Sequence, residues 1–171
     1  MNDAERRLRR LEDRAELEDL VARYFLAADG DDVDGLADCF TEDGAFSVSG
    51  SRCSDTRAAT VAFLVGERAK MGLTVHSPNL ALFSFHGDGA ASGIVNAHLE
   101  LVLGGQSMFG AVRYLDRYVR ASGGRWRIRA RDMRTVHIAP WAEVGEAFGS
   151  AEPVRWPGMA PLPSDFPRKP Q

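Results

Sequence analysis

Four long segments of alternating apolar and polar residues, separated by glycine-bearing turns, occupy the chain from Leu80 to Ala139. A period of two gives each segment one face for a core, and tight turns join neighbours directly, so these segments read as an antiparallel meander. The strands are expected near Leu80–His86, Ala91–Leu103, Ser107–Arg120 and Arg125–Ala139, with turns at Gly87-Asp88-Gly89, Gly104-Gly105 and Ser122-Gly123-Gly124. Pro78 keeps the stretch before them at an edge or bend. Such a sheet needs cover on its apolar face.

The N-terminal third supplies helices for that purpose. Leu17, Leu20, Val21, Tyr24 and Ala28 recur at three- and four-residue spacing and form one apolar stripe, which Leu8 and Leu11 extend toward the N-terminus. After Gly30, Asp31 or Asp32 can cap a second helix through Phe40, and Thr41 to Gly44 breaks it. Ala45 to Val48 reads as a short strand and Ser49 to Cys53 as a loop. Ser54 or Asp55 then caps a third helix that runs to about Met71 and is ended by Gly72. Helices grouped first and strands grouped later predict an α+β fold, with a helical layer packed on one face of a curved sheet.

Beyond Trp141 the pattern decays, and six of the eight prolines fall between Pro153 and Pro170. Residues 142–171 therefore read as a proline-rich tail following a domain over 1–141. Trp141, Phe148, Trp156, Met159 and Phe166 are too many large apolar groups for a tail that touches nothing, so it is expected to pack on the domain, over a pocket mouth, or on a neighbouring subunit.

Composition narrows the function. Hydrophobic residues make up 44% and charged residues 26%, and no apolar run approaches the roughly 18 residues of a membrane span, so no membrane partner is expected. The N-terminal MNDAERRLRRLEDRAE has acids among its arginines and no apolar segment, unlike a secretory leader, and points to a cytoplasmic protein. A net charge of -3 and a pI near 5.8 argue against nucleic acid as a partner. Cys39 and Cys53 lack the spacing of a disulfide framework or a zinc site.

Asp29 lies in the last turn of the first helix, where the negative end of the helix dipole disfavours a carboxylate by roughly 0.3–1 kcal/mol. Helix stability does not explain it. It belongs either to a solvated Asp-Gly-Asp-Asp turn or to a site. His76 sits beside strand-breaking Pro78, and Tyr24 places a hydroxyl on a buried stripe. A buried carboxylate fixes the tautomer of an imidazole and stabilises the imidazolium, so Asp29 and His76 would together make a base for a carbon-bound proton.

The stretch YFLAADGDDVDGLADCFTEDGAF, followed by the histidine of TVHSPNL, resembles the SnoaL-like branch of the nuclear transport factor 2-like superfamily over about residues 8–141. Within it the chain is similar to scytalone dehydratase, bile acid 7α-dehydratase and hexachlorocyclohexane dehydrochlorinase. The resemblance implies a cone-shaped sheet on three N-terminal helices. It also implies a catalytic set of Tyr24, an Asp29–His76 dyad, and Arg131 assisting departure of the leaving group. Substrate-binding positions are expected at Asn96, His98, Tyr114, Asp116 and Met133. The implied activity is a cofactor-independent, dehydratase-type elimination on a hydrophobic cyclic small molecule such as a steroid or polyketide. The alternatives are an isomerase or polyketide cyclase, or a non-catalytic ligand-binding or structural subunit. A metal site from Asp29, His76 and His98 is not expected, because the helix-spaced histidine pair of such sites is missing.

Two expectations concern register. Strict alternation sets Arg131 beside Arg125, Arg127 and Arg129, opposite Trp126, Ile128 and Ala130, so either a bulge resets the strand near Ala130 or one face runs from solvent into the cavity. If His98 faces the cavity, Val95, Ala97, Leu99, Leu101 and Leu103 face outward and need a partner. A homo-oligomer is then expected, a trimer in preference to a dimer.

Overall fold

The computed structural model describes residues 2–167. Asn2 and Glu5 cap each other reciprocally, at 2.9 and 2.8 Å, and start helix α1 (Asp3–Asp29). Its buried stripe holds Leu17, Leu20, Val21 and Tyr24, joined by Phe25. Asp32 accepts from Gly35 N at 2.9 Å and caps α2 (Val33–Cys39). The cap of α3 (Arg57–Arg68) is Thr56 rather than Ser54 or Asp55: its hydroxyl accepts from Ala59 N at 3.2 Å.

Strand β1 (Phe40–Val48) follows α2 without a gap, so Thr41–Gly44 interrupts the pairing, between Phe40 and Ala45, rather than the strand. The expected loop after it is a hairpin. Ser49 and Gly50, with φ of 48° and 80°, form a two-residue turn into β2 (Ser51–Ser54), and positive φ at both is what the twist of a tight hairpin demands. Strand β3 (Met71–Phe85) begins before Pro78 and not after it. It is an edge strand, where a missing N–H is tolerated, and its register slips between Pro78 and Leu80. Strands β4 (Ala90–Leu103), β5 (Gln106–Arg120) and β6 (Trp126–Pro140) complete the meander. The order is β2-β1-β6-β5-β4-β3, and β1 runs parallel to β6, so this curved, unclosed sheet is mixed rather than wholly antiparallel.

A bulge resolves the arginine run. Tyr118 pairs with Ile128 and Arg117 with Ala130, leaving Arg129 as the extra residue. Trp126, Ile128 and Arg131 consequently share the buried side, while Arg127 reaches Asp38 at 2.7 Å and Arg129 reaches Asp43 at 2.9 Å.

Strand β4 corrects two expected site positions and the argument built on them. Val95, Ala97, Leu99 and Leu101 are buried against the helical layer, so alternation sends Asn96, His98 and Glu100 to the outer face. There Asn96 accepts from Arg113 Nε at 2.8 Å and His98 lies against Phe109. Neither reaches the cavity, and the apolar row that was to require a partner is already covered. The large apolar groups left exposed on the sheet, among the described residues, are instead Leu73, Val75, Leu80, Leu82, Ile94 and Leu115.

After β6, a 3-10 turn (Trp141–Glu143) and the short helix α4 (Val144–Phe148) precede the proline-rich stretch. Its described part, residues 153–167, runs back along the domain as a strap. Arg155 N donates to Ile138 O at 2.7 Å, Val154 N and Leu162 N exchange bonds with each other's carbonyls, and Asp165 N donates to Thr135 O at 3.0 Å. Among the described residues no helix is long and apolar enough to cross a membrane.

Candidate functional site

A cavity of about 840 Å³ opens between the helices, the inner sheet face and the strap. Helix residues Tyr24, Leu36 and Phe63, sheet residues Leu99, Leu101 and Met133, and strap residues Trp156, Met159 and Leu162 give it a mostly apolar wall. Its exposed lining residues, among them Asp31, Val33, Val65 and Met159, mark the mouth.

The C-terminus of α1 meets β3 at this wall. Gly30 N caps the helix on Leu26 O, which frees the Asp29 side chain to turn toward the sheet. Its carboxylate takes three hydrogen bonds there: from His76 N to Oδ2 at 2.7 Å, from Thr74 Oγ1 to Oδ1 at 2.8 Å, and between His76 Nδ1 and Oδ1 at 2.7 Å. With Nδ1 spent on the carboxylate, Nε2 is the nitrogen left for chemistry. His76 lines the cavity, and its ring stacks on Phe25 with centroids 5.1 Å apart. Burial by itself would push the Asp29 carboxyl up, but the ring and backbone bonds from His76, the His76 charge and the Thr74 hydroxyl outweigh it and hold it below its ordinary 3.8. The stability these bonds contribute is thus present above pH 3.8 and is lost as falling pH passes the lowered folded value.

Beneath Tyr24 and Tyr114, which both line the cavity, lies a second polar group. Arg131 and Asp116 are cross-strand neighbours, fully buried, and joined by two bonds of 2.9 and 2.7 Å. Tyr118 donates to the same carboxylate at 2.5 Å, and Gly93 makes room for that ring: a Cβ there would stand 2.7 Å from Tyr118 Cε2. The Arg131 guanidinium carbon is 4.0 Å from the Tyr24 ring centre and 4.7 Å from that of Tyr114, both within cation–π range. Its Nη1 is buried without a partner.

The sequence-expected residues thus separate into three groups. His76, Tyr24, Tyr114 and Met133 come together at the cavity wall, with Asp29 behind His76 and hydrogen-bonded to it. Arg131 and Asp116 do not line it and reach it only through the two tyrosine rings, because the bulge and the cross-strand pairing bury them one layer deeper. Asn96 and His98 face away, so His98 cannot join Asp29 and His76 around a metal. Among the described residues no cluster of three His, Cys, Asp or Glu has the arrangement to hold a metal ion. Thr74 is marked in the sequence only by its place two residues before His76, which puts it on the same strand face.

The chain's three tyrosines are all buried. Burial pushes the Tyr24 phenol up to about 12 against the opposing charge of Arg131, and lifts Tyr114 and Tyr118 well above 10.0. Phenols raised in this way stabilise the fold below pH 10.0, and that contribution is lost as pH rises through the folded values. An alkaline titration followed by tyrosinate absorbance should therefore show no ionisation around pH 10 while circular dichroism remains native. Tyrosinate formed at that pH in the folded chain would contradict the placement.

A protein-family model described as a SnoaL-like domain matches residues 9–132. Among solved structures, the fold is similar to the hexachlorocyclohexane dehydrochlorinase LinA-type3 of Novosphingobium barchaimii, with a TM-score of 0.72 and 22% identity over 79% of this chain and 94% of that one. It is similar to a scytalone dehydratase-like protein of Novosphingobium aromaticivorans, with a TM-score of 0.71 and 18% identity over 89% and 97% of the two chains. ActVI-ORFA of Streptomyces coelicolor gives a TM-score of 0.61 and 25% identity over 71% and 96%. No curated protein matches the sequence.

Proposed function

Since the chain belongs to the SnoaL-like domain family, we propose that it is a cofactor-independent lyase that eliminates water, or a comparable leaving group, from a hydrophobic cyclic molecule. The observation that carries this reading is the 2.7 Å contact between His76 Nδ1 and Asp29 Oδ1 at the wall of an apolar cavity. His76 Nε2 takes the carbon-bound proton, and Asp29 holds the productive tautomer and stabilises the imidazolium. The released electron pair becomes the new C=C bond as the C–O bond breaks, and the departing oxygen takes the Tyr24 proton and leaves as water. A phenol at about 12 can give its proton to a departing hydroxide, whose conjugate acid sits at roughly 15.7. Arg131 acts through Tyr24 as a positioning residue, its charge stabilising the transient phenolate. The imidazolium proton then returns to the phenolate through the released water, and the cycle closes.

The named relatives support a small-molecule chemistry of this kind, one of them being called a dehydrochlorinase. Isomerisation or cyclisation would use the same base with no departing group, the phenol then holding an enolate oxygen, so the mass of the product decides among them. The test is a mass-spectrometric screen of hydroxylated steroids and polyketides for loss of water. On a compound that reacts, Tyr24→Phe, which keeps the ring and its packing, should lower kcat by roughly 10²-fold or more. A product of unchanged mass, or a Tyr24→Phe variant of full activity, overturns elimination through this phenol.

A further inference from the structure

The charges around the cavity are distributed unevenly. Among the described residues that line it, Arg68 is the one lysine or arginine, against the carboxylates of Asp31, Glu67 and Asp165. Three of these groups are already engaged. Asp165 Oδ2 accepts from Thr135 N and Ser49 Oγ, each at 2.7 Å, and Glu67 pairs with Lys70 at 2.6 Å. Arg68 Nη1 donates to Gly72 O at 2.7 Å, which fixes the guanidinium to the start of β3.

The remaining donors of Arg68 are poorly used. Nη2 reaches Asp31 Oδ2 at 3.3 Å, while Nε lies 3.1 Å from Asp31 Oδ1, off the line a hydrogen bond needs, and is buried with no partner. The arginine side chain is only 22% exposed, whereas that of Asp31 is 65% exposed. Asp31 is held there with φ of 56°, a left-handed conformation that aspartate and asparagine tolerate better than most residues. A largely solvated carboxylate with indifferent geometry is a weak partner for a guanidinium, and one entering with a ligand has both oxygens to offer.

We propose that Arg68 receives the carboxylate, or a like oxyanion, of an amphipathic substrate whose apolar body fills the cavity. Asp31 is the place-holder it displaces. Elsewhere the described wall offers an anion hydroxyls, the His76 ring, apolar groups or other carboxylates but no second lysine or arginine, so Arg68 is the strongest place for the acid end of the ligand. Gly72, which anchors Arg68, and His76 are four residues apart on one strand, on the order of 13 Å at strand rise. The substrate class is therefore a hydrophobic acid whose anionic group lies on the order of 10 Å from the reacting carbon. This assignment rests on the reading of the cavity as the substrate site.

Two dyes that share an apolar frame test it: anilinonaphthalene sulfonate, which carries an oxyanion, and phenylnaphthylamine, which does not. The wild-type chain should bind the sulfonate more tightly than the neutral dye. Arg68→Met should weaken the sulfonate about tenfold, the size of one lost charge-assisted bond, and leave the neutral dye within about twofold. Asp31→Asn fits the same left-handed backbone and removes the competitor, so it should tighten the sulfonate and leave the neutral dye unchanged. If Arg68 only latches α3 to β3, both variants will shift the two dyes alike, which overturns the assignment and leaves the cavity reading standing. Failure of both dyes to bind the wild-type chain overturns the cavity reading itself, and binding of the neutral dye alone overturns only the assignment of Arg68.

Discussion

His76→Ala should lower turnover by roughly 10²–10⁴-fold, the range a positioned general base supplies, and Asp29→Asn should fall close behind. The reason for the second lies in what surrounds the carboxylate. Three donors, from His76 N, His76 Nδ1 and Thr74 Oγ1, converge on its two oxygens. An asparagine offers one oxygen and turns an N–H₂ toward one of those donors, so either the ring loses its orientation or the backbone bond is lost. The double variant should lose little beyond the worse of the two, because groups that act as one unit are not additive. Additive losses, or near-normal turnover in either single variant, would mean that the pair is a structural tie between α1 and β3 and nothing more.

Breaking the buried pair of Arg131 and Asp116 should have the largest effect on stability. Both side chains are fully buried, and removing one partner leaves the other charged in a dry interior, which costs about 3–5 kcal/mol. Asp116→Asn should therefore lower Tm by roughly 10 °C in a domain of this size, and it also disturbs the bond from Tyr118. The double replacement Arg131→Met with Asp116→Leu removes both charges and should recover much of that loss. It would nevertheless take the cation from beneath Tyr24, so stability and turnover should part company: a refolded scaffold with a poor rate. Recovery of both would reduce Arg131 to a packing role.

How legible this architecture is in the sequence depends on the range of the interaction involved. Period-two alternation marks β4, β5 and β6 because each carries a buried row long enough to dominate chance. Asp29 and His76 stand out locally, one against the helix dipole and the other beside a proline, and each oddity points to an unseen partner. The Arg129 bulge has no such mark, because its only cause is the pairing of β5 with β6. Alternation alone suggested its need without fixing its place. His98 is ambiguous for a related reason: a polar residue on a strand face reads the same whether that face borders water or a cavity. Only the burial of Val95, Leu99 and Leu101 decides between them. The parallel pairing of β1 with β6 is likewise invisible locally, since nothing in FTEDGAFSV specifies its partner.

The strap has a consequence for how such a protein can diversify. It follows the region matched by the family model, residues 9–132, and gives the cavity Trp156, Met159 and Leu162, yet contributes none of Asp29, His76, Tyr24 or Arg131. One part of the cavity wall is thus encoded apart from the residues we propose to carry the bond-breaking. Mutations that reshape the strap can admit new molecules while the proton-transfer apparatus is inherited intact, a division of labour that lets one scaffold explore substrates without relearning its chemistry.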